Sequence, residues 1–394
     1  MKVSVLSKEG AFEEYNECAV ENREQCRIVS MDIKALYPSM KWNDIIKAVR
    51  EMIVSSEMSV ENVNWHEVGK YLAVMMSKED IEKEGLYHVV PKRKSNRKIT
   101  ISYLQNKQNN KNWYKSRKPG VVQQKRMLAL AITIGVQQVL SSHTYKVGDE
   151  IYLQTEGGPI GLELTGAVCR PFMISWDKKY LRMVKDAGIM MVMYKRYIDD
   201  SNQLARVPPE GAVYDGNTKK IVINEEEGEL RRGETPDTRL ARVLEDIAND
   251  VQDGIELEED HPSSHDNGMM PILDMNVWVT EEGIVLYKHY EKKVSSRKVM
   301  HSKSAQSAPC KKNVHVQEVL RRIWNTSPRL DWDDEVAPVL TDYMGRMLTA
   351  GYSEGYRKNV LQHAFRILDR MKREVADGIR CYTEIESGRQ TSAG

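Results

Sequence analysis

Carboxylates directly follow two apolar, strand-like stretches of this chain. Asp32 ends the stretch RIVSMDI, and the pair Asp199-Asp200 follows MMVMYKRYI. A buried charge is costly unless a partner or a metal ion compensates it. Phosphoryl transfer to a nucleotide uses two divalent cations about 3.5–4 Å apart, and such hard ions prefer carboxylate oxygens. One aspartate after a strand is often only a turn residue, so the combination of Asp32 with Asp199-Asp200 is what predicts a two-ion site.

Particular elements must bring these carboxylates together. Residues 27–33 predict a buried strand, and the segment around Asp199-Asp200 predicts two strands joined by a tight turn. Between them, QTEGGPIG forms a glycine-rich turn ahead of an apolar helix that starts near Leu164. Its glycines permit close backbone approach. The turn lacks the Gly-Lys-Ser/Thr sequence of a P-loop, which argues against a nucleoside triphosphatase of that class.

Four blocks of the sequence resemble the catalytic blocks of reverse transcriptases. VSMDIKALYPSM is similar to the first block, with Tyr37 five residues after Asp32, and QTEGGPIGLELTG is similar to the second. YIDD resembles the Y-x-D-D hairpin of the third. MPILDMNVWV followed by VLYKHYEK resembles the fourth block and the primer-gripping hairpin. Within the family, the style is most similar to Penelope-like retroelement enzymes.

The resemblance implies an α+β fold, with a palm made of an antiparallel sheet and packed helices, and a C-terminal helical thumb. It implies an RNA-directed DNA polymerase of a retroelement that uses two Mg²⁺ ions, with Mn²⁺ as a substitute. Asp32 and Asp199 would be metal ligands with help from the Ile33 carbonyl, and Asp200 would be a supporting carboxylate. Tyr37 would lie under the nucleotide sugar and exclude a 2′-hydroxyl. The implied nucleotide-binding glycines are Gly157, Gly158 and Gly161.

Two departures from the family pattern affect the expected organisation. Leu162-Glu163 replaces the usual Ser-Pro of the second block, and only about thirty residues precede Asp32. We therefore expect an incomplete fingers subdomain. The expected divisions are a remnant of the upstream fingers region (1–26), a palm (27–310) with a basic insertion near 88–126 and an acidic insertion near 207–268, a helical thumb (311–381) and a disordered tail (382–394). In the thumb, a stripe of Val360, Leu361, Ala364 and Leu368 should be buried.

Basic residues cluster in two places. From His88 to Arg126 the chain has no Asp or Glu, and aromatic residues are interleaved with the basic ones. Such a stretch can follow a phosphate backbone and stack a base, although a solvated loop would have the same composition. A second cluster lies between the expected palm and thumb. The residues predicted to contact nucleic acid are Lys92, Arg93, Lys94, Arg297, Lys298, Lys303, Lys311 and Lys312.

Composition sets outer limits on the function. The net charge of +1 says nothing about a nucleic-acid partner, and the five cysteines form no C-x-x-C pair, so we expect free thiols. The N-terminus has no signal-peptide pattern, and the longest apolar stretch is too short to cross a bilayer. These features predict an intracellular protein, in cytoplasm or nucleus, without a membrane partner. Its expected partners are an RNA or DNA template with primer, deoxynucleoside triphosphates, and an endonuclease or the rest of a longer retroelement protein.

Three alternatives to an active reverse transcriptase stay open. A catalytically inactive, nucleic-acid-binding remnant would keep the fold, and the short segment before Asp32 favours it. An RNA-dependent RNA polymerase would share the palm, but Tyr37 argues against it. The third is a structural helical protein whose carboxylates are placed by chance. The intact Asp32, Asp199 and Asp200 favour the active enzyme.

Overall fold

The computed structural model describes residues 8–84, 86–89, 100–103, 121–292, 294 and 296–371. Its helices are α1 (Lys8–Glu17), α2 (Leu36–Ser39), α3 (Trp42–Ser55), α4 (Trp65–Met75), α5 (Lys78–Lys83), α6 (Val121–Ser141), α7 (Glu163–Asp186), α8 (Glu225–Leu230), α9 (Pro236–Asn249), α10 (Ala308–Trp324), α11 (Ala337–Thr349) and α12 (354–371). Short 3₁₀ turns span Arg23–Gln25 and Pro262–Ser264, and a π turn spans Trp332–Val336.

The strands pair into antiparallel sheets. They are β1 (Cys26–Ile33), β2 (Leu86–Val89), β3 (Thr100–Tyr103), β4 (Thr144–Val147), β5 (Glu150–Leu153), β6 (Met191–Tyr197), β7 (Asp200–Arg206), β8 (Ala212–Asp215), β9 (Lys220–Ile223), β10 (Leu257–Asp260), β11 (Met270–Ile272), β12 (Met275–Val279) and β13 (Val285–His289). The main sheet has the order β10-β1-β7-β6, and a second sheet has the order β11-β12-β13. The hairpins β2–β3, β4–β5 and β8–β9 complete the described strands. The fold is therefore a mixed α and β structure of antiparallel sheets and packed helices, as predicted.

One face of the main sheet is covered by helices. Side chains alternate across a strand, so Val29, Met31 and Ile33 share the face that packs on α3, α7 and α9. α9 has an apolar stripe at helical spacing, and its Leu240 and Leu244 are fully buried there. This packing forms the largest apolar core of the described residues and fixes the positions of β1 and β7 relative to the helices.

The segment 207–268, expected as an acidic insertion, contributes directly to this core. Besides α9, it supplies β10, which pairs with β1 from Ser30↔Asp260 to Ile33↔Leu257. The charges of α9 lie on its outer positions, while its apolar positions face the sheet. Strand β10 is thus part of the main sheet, and helix α9 packs against it.

Helix α1 packs against the opposite face of the main sheet together with the second sheet. Phe12 and Tyr15 join Ile28 and Leu204 in a second core, and the Tyr15 hydroxyl donates to the Gly283 carbonyl at 2.9 Å. Residues 8–17, expected as a fingers remnant, thus pack on the two sheets.

The C-terminal helical bundle, defined here as α10, α11 and α12, has a core of its own. Val360 and Ala364 are fully buried in it, whereas Leu361 and Leu368 are partly buried at its edge and Lys358 and Arg366 are exposed. The predicted face of α12 is therefore correct. The Ser353 hydroxyl caps this helix by accepting from the Tyr356 N–H at 3.3 Å. By contrast, Asn43, whose residue type suits a helix N-cap, lies inside α3, which begins at Trp42.

An ion-pair cluster joins the bundle to the second sheet. Glu291, just after β13, accepts from Arg346 at 2.7 and 2.8 Å and also from Arg322, and it lies 3.8 Å from Arg297. The two bonded guanidinium groups lower the pKa of Glu291 to about 2 against the effect of burial.

Among the described residues, no helix is long and apolar enough to cross a membrane. The expected tail, 382–394, and the last residues of the expected thumb lie outside the described residues.

Candidate active site

Strand β1 places Asp32 beside the hairpin that bears Asp199. β1 pairs antiparallel with β7 from Cys26↔Arg206 to Met31↔Ser201, so Asp32 lies next to the end of β7 where Asp200 begins. Strand β7 pairs in turn with β6, and Ile198 and Asp199 form the two-residue turn between them. The sequence prediction of a strand end next to this hairpin is therefore confirmed at the level of strand pairing.

Four polar side chains share the sheet face opposite to α3, α7 and α9. Ser30, Asp32, Asp200 and Asn202 alternate in register on β1 and β7, and we call them the polar face. The Ser30 hydroxyl donates to Asp200 Oδ1 at 2.9 Å, and the Asn202 amide donates to the same oxygen at 3.4 Å. These bonds orient the Asp200 carboxylate, which suits the supporting role predicted for it.

Asp32 lies in an anionic environment. Partial burial raises the pKa of Asp32, and the negative charges of Asp199, Asp200 and Glu258 raise it further, while the Ile33 N–H lowers it by donating to the carboxylate. Glu258 lies directly opposite Asp32 on β10. A cation held here would relieve the repulsion, and the oxygen donors suit Mg²⁺.

The described residues contain no group of three or more His, Cys, Asp or Glu side chains that could hold a metal ion. Protein sites for Mg²⁺ commonly use one or two carboxylates together with substrate phosphates, so Asp32 and Asp199 fit such a site in their chemistry. The assignment of Asp32, Asp199, Asp200 and the Ile33 carbonyl to metal binding stays a prediction.

Tyr37 lies in the turn that follows β1 and the Asp32 end of that strand. After β1 the chain turns through Ala35, whose φ is +49°, into the short helix α2, and the Tyr37 ring packs partly buried against the main core. Burial raises the pKa of Tyr37, and the nearby Cys169 and Asp199 raise it further. The ring is thus packed on the core and feels the charge of Asp199, which fits both packing and a role at the nucleotide sugar.

The glycine turn packs on the Tyr37 turn. A Cβ on Gly157 would lie 2.5 Å from the Pro38 carbonyl oxygen, and one on Gly158 would lie 2.4 Å from Thr165 Cγ2. The Gly158 N–H donates to the Tyr37 carbonyl at 2.7 Å, and the Trp42 indole donates to the Gly157 carbonyl at 2.7 Å. Gly157 is therefore required by the Pro38 backbone and Gly158 by the Thr165 side chain, so both glycines have a packing role within the chain.

Gly161 differs from the other two glycines. Its φ is +90°, which L side chains rarely adopt, and a Cβ there would have open space within 4 Å. Contact of this turn with a nucleotide or template stays a prediction for all three glycines.

Arg196 is a residue that the sequence reasoning missed. It is the penultimate residue of β6, its side chain is only 8% exposed, and it donates to the Asp199 carbonyl at 3.1 Å. Its position in the strand could have indicated its role. Tyr194 and Arg196 are two residues apart and so share the face of β6 that packs toward α7, where a buried charge needs a partner. That partner, Asp177, is distant in the sequence.

The predicted nucleic-acid contacts have different surroundings. Lys92, Arg93 and Lys94 lie outside the described residues. Arg297, Lys298 and Lys303 are exposed, and Lys312 is half-buried. The Lys311 ammonium donates to the Ser302 carbonyl at 2.7 Å. Lys125, at the end of the basic stretch, is buried and donates to the Ser56 carbonyl, so its charge does not face solvent.

Comparisons with known proteins give only distant likenesses. No family model matches the sequence, and no curated protein matches it. Telomerase from Candida albicans, solved with a TWJ fragment of telomeric RNA, aligns at 11% identity and a TM-score of 0.42 over 91% of this chain and 44% of that chain. Apo telomerase from Candida tropicalis aligns at 10% identity and a TM-score of 0.34 over 92% and 45%. The chain thus spans less than half the length of these structures, and such low scores do not establish a shared fold.

Proposed function

We propose that this chain is the polymerase core of a reverse transcriptase, which adds deoxynucleotides to a primer 3′ end as directed by an RNA template. The observation that carries the proposal is the pairing of β1 with the β6–β7 hairpin, which brings Asp32 to the turn that holds Asp199. In this proposal the main sheet is the palm and the C-terminal helical bundle is the thumb. The chain would belong to a longer retroelement protein, with an endonuclease as a further partner.

The proposed cofactor is a pair of Mg²⁺ ions, with Mn²⁺ as a substitute. Asp32 and Asp199 would hold them with the Ile33 carbonyl, and Asp200 would support the pair. Activation of the primer 3′-hydroxyl and stabilisation of the leaving pyrophosphate are the chemistry that two such ions supply. The anionic environment of Asp32 supports this assignment, because the repulsion among the carboxylates favours a bound cation.

Tyr37 would set the preference for deoxynucleotides. Its ring is partly buried against the core, and the bond from the Gly158 N–H to the Tyr37 carbonyl holds its backbone. A ring packed on the core from a fixed backbone has little freedom to move aside for a 2′-hydroxyl. The proposed substrates are therefore deoxynucleoside triphosphates.

The proposed primer–template contacts lie between the main sheet and the bundle. Exposed Arg297, Lys298 and Lys303 would bind phosphates, with Lys311 and Lys312 beside them. Lys92, Arg93 and Lys94 are proposed to contact the template from the basic stretch of the sequence. Such contacts neutralise phosphates without reading sequence, so they would serve any template.

The direct test is primer extension on an RNA template with Mg²⁺ and deoxynucleotides. The wild-type chain should extend the primer, and Asp32→Asn should reduce the rate by about 10³-fold or more, since loss of preorganised charge at a reacting phosphate has effects of this order. Asp253→Asn is the matched control, because Asp253 is an exposed aspartate remote in sequence from the polar face.

Each other outcome has a defined meaning. Primer–template binding without extension would overturn the proposal in favour of the inactive, nucleic-acid-binding alternative. Extension with ribonucleotides and not with deoxynucleotides would favour the RNA polymerase alternative. Equal rates for wild type, Asp32→Asn and Asp253→Asn would remove Asp32 from the chemistry.

A further inference from the structure

Arg196 connects the turn at Asp199 to helix α7. Its Nε donates to Asp177 Oδ1 at 2.7 Å, its Nη2 donates to the Tyr194 hydroxyl oxygen at 2.7 Å, and its Nη1 donates to the Asp199 carbonyl at 3.1 Å. The planar guanidinium presents these donors in a fixed geometry. One side chain thus sets the position of the turn relative to a helix of the main core.

The cluster around Arg196 is closed on itself. The Tyr194 hydroxyl donates to Asp177 Oδ1 at 2.6 Å, so Arg196, Tyr194 and Asp177 form a triangle of hydrogen bonds. The guanidinium also lies 5.1 Å from the centroid of the Trp176 ring, within the range of a cation–π contact. A buried guanidinium with this many partners is held in one place, and Asp177 compensates its charge.

The turn that Arg196 holds is strained. Ile198, its first residue, has a φ of +58°, in the left-handed region that β-branched side chains disfavour. Such conformations persist only where the surrounding structure enforces them, and they concentrate at functional sites. The bond from Arg196 to the Asp199 carbonyl fixes the peptide that follows Asp199, and this peptide sets the direction of the Asp199 Cα–Cβ bond.

We propose that Arg196, braced by Asp177 and Tyr194, is a positioning residue that holds the strained turn so that the Asp199 carboxylate faces Asp32. This inference rests on the proposed function in assigning Asp199 to the metal ions. It adds that the geometry of the ion site is set from the helix side of the sheet, by a residue that touches neither ion nor nucleotide.

The experiment compares Arg196→Lys with Arg206→Lys. Lysine keeps the charge but cannot make three bonds in the guanidinium fork. Arg206 is a suitable control because it ends β7 of the same hairpin and also donates to a backbone carbonyl, that of Glu21, at 2.9 Å. Each variant is examined for Mn²⁺ affinity by electron paramagnetic resonance, for the Mg²⁺ concentration at half-maximal primer extension, and for primer–template affinity.

We expect Arg196→Lys to weaken Mn²⁺ binding and to raise the half-maximal Mg²⁺ concentration by about 10–100-fold, the usual effect of losing a group that orients a metal ligand. Primer–template affinity should stay within about twofold of wild type, because Arg196→Lys leaves the contacts with phosphates intact. Arg206→Lys should match wild type in all three measurements. A variant that is less stable but has wild-type ion affinity would show that Arg196 is structural only and would overturn the inference.

The Mn²⁺ measurement separates this inference from the proposed function. If the wild type binds Mn²⁺ through Asp199 and Arg196→Lys weakens that binding, the inference holds even where no primer is extended. If primers are extended and Arg196→Lys retains wild-type ion dependence, the inference is wrong and the proposed function stands. A wild type that binds no Mn²⁺ overturns both.

Discussion

Two hairpins of this chain have the same local design and different surroundings. In β4–β5 the two-residue turn is Gly148-Asp149, and in β6–β7 it is Ile198-Asp199. The first turn residue has positive φ in both, +63° for Gly148 and +58° for Ile198. Every residue of β4 and β5 is exposed, whereas β7 is a central strand between β1 and β6.

The difference shows where conformational strain is tolerated. Glycine adopts positive φ without steric cost, and a Cβ on Gly148 would meet nothing within 4 Å. Isoleucine in this region costs about 1–2 kcal/mol. The β6–β7 hairpin retains the strained residue because pairing with β1 and the bond from Arg196 enforce the turn. The exposed hairpin has an aspartate in the same turn position, but among the described residues no third strand pairs with it.

The largest expected effect separates the two turn aspartates. Asp199→Asn should reduce primer extension by about 10³-fold or more, because it removes a charge that the reaction requires. Asp149→Asn should leave extension within about twofold of wild type, because Asp149 is fully exposed and makes only a loose ion pair to Lys146 at 3.8 Å. Rates under single-turnover conditions are the measurement. Similar losses in both variants would show that Asp199 has no role in the reaction beyond that of an exposed turn aspartate.

The next comparison concerns the aromatic residue near each turn. Tyr37→Ala should improve ribonucleotide use relative to deoxynucleotide use by about 10–100-fold, which corresponds to about 1.4–2.8 kcal/mol of lost discrimination. Tyr145→Ala, in the exposed hairpin, should leave the ratio unchanged. The measurement is kcat/KM for paired nucleotides. If Tyr37 serves only the core, the variant should instead lose activity equally on both nucleotides.

The turns themselves should respond in opposite directions to exchanged residues. Ile198→Gly should relieve strain and stabilise its hairpin by up to about 1 kcal/mol, since the Ile198 side chain is 46% exposed and little burial is lost. Gly148→Ile should destabilise its hairpin by about 1–2 kcal/mol. Amide hydrogen exchange within each hairpin measures these local free energies. A change of the same sign in both would contradict the account of strain given above.

The smallest expected effect is a displacement of the pH profile. The pKa of Asp32 is raised above its ordinary 3.8, so its carboxylate takes up a proton at a higher pH than an ordinary aspartate, and extension should fall as pH falls through that raised value. Asp200→Asn removes a neighbouring negative charge and should move this acid limb to lower pH. Asp149→Asn should not move it. The rate at each pH, normalised to its maximum, is the measurement.

The same shift has a consequence for stability. The folded state binds the Asp32 proton more tightly than the unfolded chain does, so the contribution of Asp32 to stability decreases as pH rises from 3.8 through the raised pKa. Asp200→Asn should reduce this decrease. Chemical denaturation of both proteins across that pH window would detect it, and identical slopes would argue against coupling between Asp32 and Asp200.

The sequence by itself determined the elements whose patterns are local. A short apolar run predicted β1, a tight turn between two strands predicted the Y-x-D-D hairpin, and helical spacing predicted the buried stripe of α12. The position of each carboxylate after a strand was enough to predict that the Asp32 strand lies next to the hairpin with Asp199, and the pairing of β1 with β7 agrees. Each of these signals lies within a few residues of the element that it specifies.

Tertiary structure decided the features that depend on residues far apart in the chain. α9 and β10 looked like part of a polar insertion, because the sequence does not show that β1 lacks a partner on that side. The sequence did not show that Gly157 packs so closely on the Pro38 backbone that a Cβ would clash there. Arg196 looked like an ordinary strand residue until Asp177 and the Asp199 carbonyl were placed beside it. Burial, charge compensation and close backbone approach are properties of two surfaces in contact, and the sequence of one surface does not specify the other.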